Sequence, residues 1–266
     1  MTSTPDRPIR IAVQLQPQHA PDYGLLRDAV RRSEDAGVDI VFTWDHFFPL
    51  YGDPDGAHFE CWTLLAAWAE QTERVEIGAL VTCNTYRNPD LLADMARTVD
   101  HISSGRLILG LGSGWFERDY SEYGYDFGTR GSRLDELGRS LERIEQRFAK
   151  LNPAPTRDIP VLLGGGGERK TLRHVARHGD IWHAFMDVET YRHKAGVLAR
   201  HCADVGRDPG EIERSTEVRG GGSASEAVRS AEALHAEGVT LFTVGVNGPD
   251  YPLDLVETLV AWRDGR

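Results

Sequence analysis

The stretch FTWDHFFPL, residues 42–50, sets a carboxylate, Asp45, and an imidazole, His46, between Trp44 and Phe47 in an otherwise apolar run. Near neutral pH an imidazole donates or accepts a hydrogen bond and passes a proton to or from a reacting group. A carboxylate beside it can accept from a ring N–H. The competing reading is a loop cap with a packed histidine next to it. Neighbouring residues on a strand point to opposite faces, so both groups meet one ligand only if the loop begins here.

A second segment with chemistry in it is GGGGERKTL, residues 164–172. Glycines let the backbone come close to a phosphate, and a helix starting at Glu168 would aim free N–H groups and the positive end of its dipole at the anion. Arg169 and Lys170 add charge. Each ordered glycine costs about 0.5–1 kcal/mol relative to alanine, so a bare turn has no need of four. The spacing does not make a G-x-x-x-x-G-K-[ST] loop, and GLGSGW does not complete G-x-G-x-x-G.

Other candidates carry less. Glu117, close after Trp115, reads equally as a catalytic base or as a surface ion pair with Arg118, and His183 reads equally as a mouth residue or as a packed histidine. Cys83 has no assignable histidine partner and reads as a buried filler. Trp62, Trp68, Trp182 and Trp262 read as core or helix-seam residues. The histidines are scattered; His174 and His178 fall on a helix face that reads as solvated, so no metal site is expected. No Gly-x-Ser-x-Gly elbow is present.

These groups need a scaffold that brings them together. Short apolar runs alternate with amphipathic ones along the whole chain. Strands are expected at 9–15, 38–44, 75–82, 106–114, 159–167, 180–185, 212–218 and 239–246. Helices are expected at 22–36, near 59–72, and at 89–103, 132–149, 168–178, 188–205, 223–237 and 251–263. Gly37 ends the first helix and Pro89 opens the third. The segment between 114 and 132, rich in Gly, Tyr and Asp, reads as a loop. Eight strand–helix repeats predict an α/β fold, a (β/α)8 TIM barrel forming one domain over 1–266. In such a barrel the C-terminal strand ends form one mouth, which gathers Gln14, Gln16, Asp45, His46, Thr82, Cys83, Asn84, Ser113, Gly114, Gly164–Gly167 and His183.

The segments TWDHFFP, NTYRNPDLLADMARTVDHISSGRLILGLGSGWFERDY and PVLLGGGGERKTLRHVARHGDIW resemble the luciferase-like monooxygenase superfamily, and within it the branch that uses the deazaflavin coenzyme F420. The likeness runs in order from about residue 9 to 218. It implies a luciferase-like TIM barrel and a hydride transfer between F420 and a small organic substrate. In that branch an Asp-His pair meets the deazaflavin, here Asp45 and His46, with the histidine as proton donor. A non-proline cis peptide behind the ring would join Ala79 and Leu80, with Thr82 reaching the cofactor. Ser113 and Gly114 match further cofactor contacts, and Gly166, Gly167, Arg169 and Lys170 match the phosphate segment. Trp115 stands where sugar-phosphate dehydrogenases of the branch carry a glutamate base, which speaks against sugar-phosphate oxidation. Trp44, Trp115, Phe47 and Tyr86 would then enclose an apolar or aromatic substrate. Two other functions fit the same residues. One is an FMN-dependent monooxygenase; the other is a non-catalytic protein that binds deazaflavin or a phosphorylated metabolite. The resemblance also allows a homodimer.

Bulk properties narrow the partners. Thirty Lys and Arg against 41 Asp and Glu give a net charge of −11, the wrong sign for nucleic acid. Any phosphate site must therefore be made locally. Cys61, Cys83 and Cys202 lack C-x-x-C spacing and are expected as free thiols in a reducing compartment. MTSTPDRPIR carries no apolar leader and no apolar run approaches 18 residues, so a cytoplasmic protein with no membrane partner is expected.

Overall fold

Alternation along the first strand explains the architecture. In β1 (Arg10–Leu15), Ile11, Val13 and Leu15 pack outward against helices, while Ala12 lies inward in a separate cluster. The same alternation recurs in β2 (Ile40–Thr43), where Ile40 and Phe42 face inward and Val41 outward. The computed structural model describes residues 7–219 and 223–266. The polar start MTSTPD thus lies outside the described residues.

Further strands are β3 (Glu76–Ala79), β4 (Thr82–Cys83), β5 (Leu107–Gly112), β6 (Val161–Gly164), β7 (Ile181–His183), β8 (Glu213–Glu217) and β9 (Leu241–Val246). Every pairing between them is parallel, in the order β3-β2-β1-β9-β8-β7-β6-β5-β4, and a β3–β5 pairing closes the ring. β3 and β4 are two parts of one barrel strand, so the ring has eight staves, as the repeats predict. The first and last strands lie side by side, with Arg10 opposite Leu241 and Leu15 opposite Val246.

The helices are α1 (Tyr23–Asp35), α2 (Cys61–Gln71), α3 (Pro89–Ile102), α4 (Glu117–Tyr123), α5 (Arg130–Phe148), α6 (Thr171–His178), α7 (Val188–Val205), α8 (Ala224–His235) and α9 (Asp254–Asp264). Local chemistry sets several ends. Asp22 caps α1 through the Leu25 N–H, Pro89 sits in the first turn of α3 behind Asn88, and Thr129 with Ser132 forms a capping box on α5. Among the described residues no helix is long and apolar enough to cross a membrane.

The barrel interior is layered. At the N-terminal end Arg10 pairs with Glu76, Nη1 to Oε2 at 2.5 Å, and with Glu213. Above this plug Ala12, Ile40, Phe42, Ile108, Leu162, Ile181 and Leu241 fill the centre. The mouth lies above that apolar layer. Cys61, Cys83 and Cys202 are each buried and free.

Candidate functional site

The chain leaves β2 at Thr43 and keeps its alternation, so Asp45 and His46 part company. Asp45 is 1% exposed and turns away from the barrel axis. Its Oδ2 accepts from Arg87 Nη1 at 2.6 Å and from the Cys83 N–H at 2.9 Å, and its Oδ1 accepts from Arg87 Nη2 at 2.9 Å. Arg87 also reaches Glu60 Oε1 at 2.7 Å. Burial pushes the Asp45 carboxyl up, against Arg87 and the Cys83 N–H, which favour its ionised form. Asp45 is therefore a brace between the ends of β2 and β4 and the turn before α3 and not a wall of the mouth, because a strand cannot aim two successive side chains at one ligand.

His46 takes the other direction. Its Nδ1 lies 2.7 Å from Asp119 Oδ2. Its ring stands edge-on to Trp44 at 5.9 Å, Trp115 at 5.7 Å and Phe116 at 5.5 Å. Trp44 is fixed in turn, its Nε1–H donating to His58 Nε2 at 3.1 Å. Burial first, and the neighbouring His46 second, lower the His58 pKa to about 4, so His58 stays a neutral acceptor. Trp115 is 63% exposed beside His46. Tyr86, expected as a mouth wall, is buried behind the histidine instead. Its hydroxyl donates to Asp119 Oδ2 at 2.8 Å and its ring stacks on Phe47 at 4.7 Å, because the turn after β4 carries it inward.

Asp119 was not singled out from the sequence. It sits on α4, in the segment that reads as a loop: seven residues are too few for a hydrophobic period. The acids Glu117 and Asp119 at its start and Gly124 in the left-handed region at its end are the signals that could have found it.

The non-proline cis peptide joins Leu80 and Val81, one residue beyond the expected Ala79–Leu80 bond. Ala79 is buried among the residues between barrel and helices, whereas Leu80 and Val81 lie against the interior. Around Val81 the wall is stripped. A Cβ on Gly112 would come within 2.5 Å of Val81 Cγ2, one on Gly164 within 2.9 Å of Val81 Cγ1, and one on Gly110 within 1.9 Å of the Ala79 carbonyl. Glycines on β5 and β6 thus make room for the half-buried Val81 side chain. Gln14 Nε2 holds the Leu80 carbonyl at 2.6 Å. Thr82 is fully buried opposite Leu111, so its hydroxyl does not reach the open mouth.

After β5, Ser113 and Gly114 are half-buried, and Gly114 has φ +77. A Cβ there would strike the Tyr120 hydroxyl at 1.9 Å, so no side chain fits. After β6, Gly165 has φ +122, and a Cβ on Gly167 would lie 2.8 Å from Thr171 Oγ1. α6 begins at Thr171, three residues later than expected. Arg169 is exposed. Lys170 is turned to α5, its Nζ 2.6 Å from Asp135 Oδ1 and 3.2 Å from the Gly131 carbonyl, so its charge is already matched there. The cation over the loop is Lys194 of α7, whose Nζ meets the Gly166 carbonyl at 2.5 Å. A residue 28 positions away carries no local signal of this.

The opposite rim is polar. The Tyr51 hydroxyl donates to Gln16 Oε1, and His183 Nδ1 meets Ser215 Oγ at 2.8 Å. Burial lowers the His183 pKa to about 4. Burial pushes the Tyr51 hydroxyl up, the Gln16 hydrogen bond offsets part of that, and Glu217 at the end of β8 adds a smaller upward push. His178 pairs with Glu145 and His174 is half-buried, so that helix face is not fully solvated. Among the described residues no group of three or more His, Cys, Asp or Glu could hold a metal ion.

Comparison with known proteins places the fold and the family. The family model described as luciferase-like monooxygenase matches residues 8–244. The F420-dependent glucose-6-phosphate dehydrogenase of Amycolatopsis mediterranei (strain U-32) is 28% identical over 230 residues, 78% of this chain and 66% of that one. The enzyme of the same name from Rhodococcus erythropolis (strain PR4 / NBRC 100887) is 30% identical over 212 residues, 70% and 61% of the two chains. The chain thus spans just under two thirds of the length of these relatives. In fold it is similar to an F420-dependent secondary alcohol dehydrogenase solved with an F420-acetone adduct, at TM-score 0.81 and 15% identity, covering 94% of this chain and 96% of that one. It is also similar to the monooxygenase RslO1 from Streptomyces bottropensis, at TM-score 0.76 and 15% identity over 96% and 98% of the two chains. With the family model matched across nearly the whole barrel, the chain belongs to the luciferase-like monooxygenase family.

Proposed function

We propose that the protein is a coenzyme F420-dependent oxidoreductase acting on a small, largely apolar organic substrate. The observation that carries this reading is the mouth in which His46, held by Asp119, stands beside the exposed Trp115, with the half-buried Val81 seated against Gly112 and Gly164. The two curated relatives, both F420-dependent, support deazaflavin over FMN.

The residues present fit such a group. Val81, Gly112 and Gly164 would lie against the ring, with Ser113 and Gly114 at its edge. Gly166 and Gly167 would hold the phosphate, with Lys194 as the near cation and Arg169 free to swing in. When bound, the deazaflavin supplies the two-electron chemistry by exchanging a hydride with substrate carbon. His46 exchanges the accompanying proton through the nitrogen that Asp119 does not hold. That step is worth about 10²–10⁴-fold for a well-placed acid or base. Trp44 and Phe116 keep the imidazole oriented, and the exposed Trp115 stands edge-on beside it at the rim. With an indole in place of a carboxylate at position 115, a sugar phosphate loses a polar partner beside His46, which favours an apolar substrate.

Titration decides between cofactors. Added F420 is expected to bind with a spectral shift, and added FMN is expected not to bind. The reverse result would move the assignment to a flavin monooxygenase. Turnover is then followed as F420 oxidation with enones and nitroaromatics, and as F420 reduction with secondary alcohols. His46→Asn is expected to lower the best rate about 100-fold. Binding without turnover of any member of the panel would make the protein a carrier.

A further inference from the structure

We propose that Asp119 is the positioning residue of the site: it fixes the tautomer and orientation of His46, so that Nε2 is the nitrogen that exchanges protons. This rests on His46 having the role proposed above. Three donors converge on the Asp119 carboxylate, which has no exposure at all. His46 Nδ1 approaches Oδ2 at 2.7 Å, the Tyr86 hydroxyl approaches Oδ2 at 2.8 Å, and the Phe47 N–H approaches Oδ1 at 3.0 Å. A carboxylate only accepts, so Nδ1 carries the proton and Nε2 is left with its lone pair. Among the described residues Nε2 has no hydrogen-bond partner, and the rings of Trp44, Trp115 and Phe116 keep the imidazole from turning over.

The two buried carboxylates of this region have opposite arrangements. Asp45 has the Arg87 guanidinium and forms a closed pair. Asp119 has no Lys or Arg within ion-pair distance among the described residues; its sole charged partner there is His46, and only when that ring is protonated. A carboxylate kept in this way favours the imidazolium formed when Nε2 takes a proton from substrate. It loses that partner again when the proton leaves. Tyr86 and the Phe47 N–H hold the carboxylate in place through both states. The carboxylate itself gains and loses no proton; the proton passes between Nε2 and the substrate oxygen.

The test separates this from the reading it rests on. In the protein without deazaflavin, 15N NMR of the imidazoles, assigned by comparison with His46→Asn, is expected to show His46 as a single Nδ1–H tautomer. A wild-type Nε2–H tautomer overturns the proposal with no variant needed. Asp119→Asn keeps the shape and is expected to mix the tautomers. It should lower kcat about 10–100-fold on the best substrate of the panel while KM for F420 changes less than about threefold. Asp119→Glu should recover part of the rate. If Asp119→Asn keeps the wild-type rate while His46→Asn loses it, Asp119 is structural only and the proposal fails. If both variants keep the rate, the assignment of His46 fails first and this one with it.

Discussion

At the scale of single residues, side-chain type announced chemistry more reliably than it announced who would do it. Asp45 and His46 are adjacent, and only one of them faces the mouth; Lys170 and Lys194 are both cations near one glycine loop, and only one is over it. The lysines give a direct contrast. Lys194→Ala is expected to weaken F420 affinity about tenfold, the loss of one partly exposed charge-assisted contact. Lys170→Ala is expected to leave that affinity within about twofold, because the Lys170 ammonium is held by Asp135. Isothermal titration of both variants checks the pair, and equal losses would return Lys170 to the phosphate site.

At the scale of elements, the third barrel strand is the part most shaped by its neighbours. Val81 lies inward there, and β5 and β6 answer with Gly110, Gly112 and Gly164. Gly112→Ala is expected to destabilise the fold by about 1–3 kcal/mol through overpacking against Val81. Adding Val81→Ala should recover at least about 0.5 kcal/mol of that, as contacting sites couple. Denaturant unfolding of the two single variants and the double variant measures it; strict additivity would show that the glycine is not there for Val81. The same scale explains α4. A helix of seven residues held by aromatic stacking offers no period to read, so Asp119 stayed hidden inside a segment that looked like a loop.

At the scale of the whole molecule, the barrel holds two histidines neutral. The pKa values of His58 and His183 are lowered from 6.5 to about 4, by burial first of all. A group whose folded pKa is depressed binds fewer protons folded than unfolded. Its stabilisation is therefore complete above about pH 6.5 and is lost as pH falls towards 4. Each histidine accounts for up to about 3 kcal/mol across that window. Thermal unfolding from pH 7 to 4.5 should show a falling Tm, with a shallower slope in His183→Gln; an unchanged slope would mean that His183 is not the group responsible.

Sequence periodicity by itself established the eight-fold alternation of strand and helix, and through it the mouth that collects His46, Trp115 and the glycine loops. Alternation is a property of neighbours along the chain, so it is written locally. The partners were decided only in three dimensions: Arg87 claiming Asp45, Asp119 claiming His46 from 73 positions away, and Lys194 arriving over Gly166. Each is a contact between strand ends or helices distant in sequence, made by closure of the ring. No local pattern encodes which side chain a carboxylate will meet once the barrel is shut.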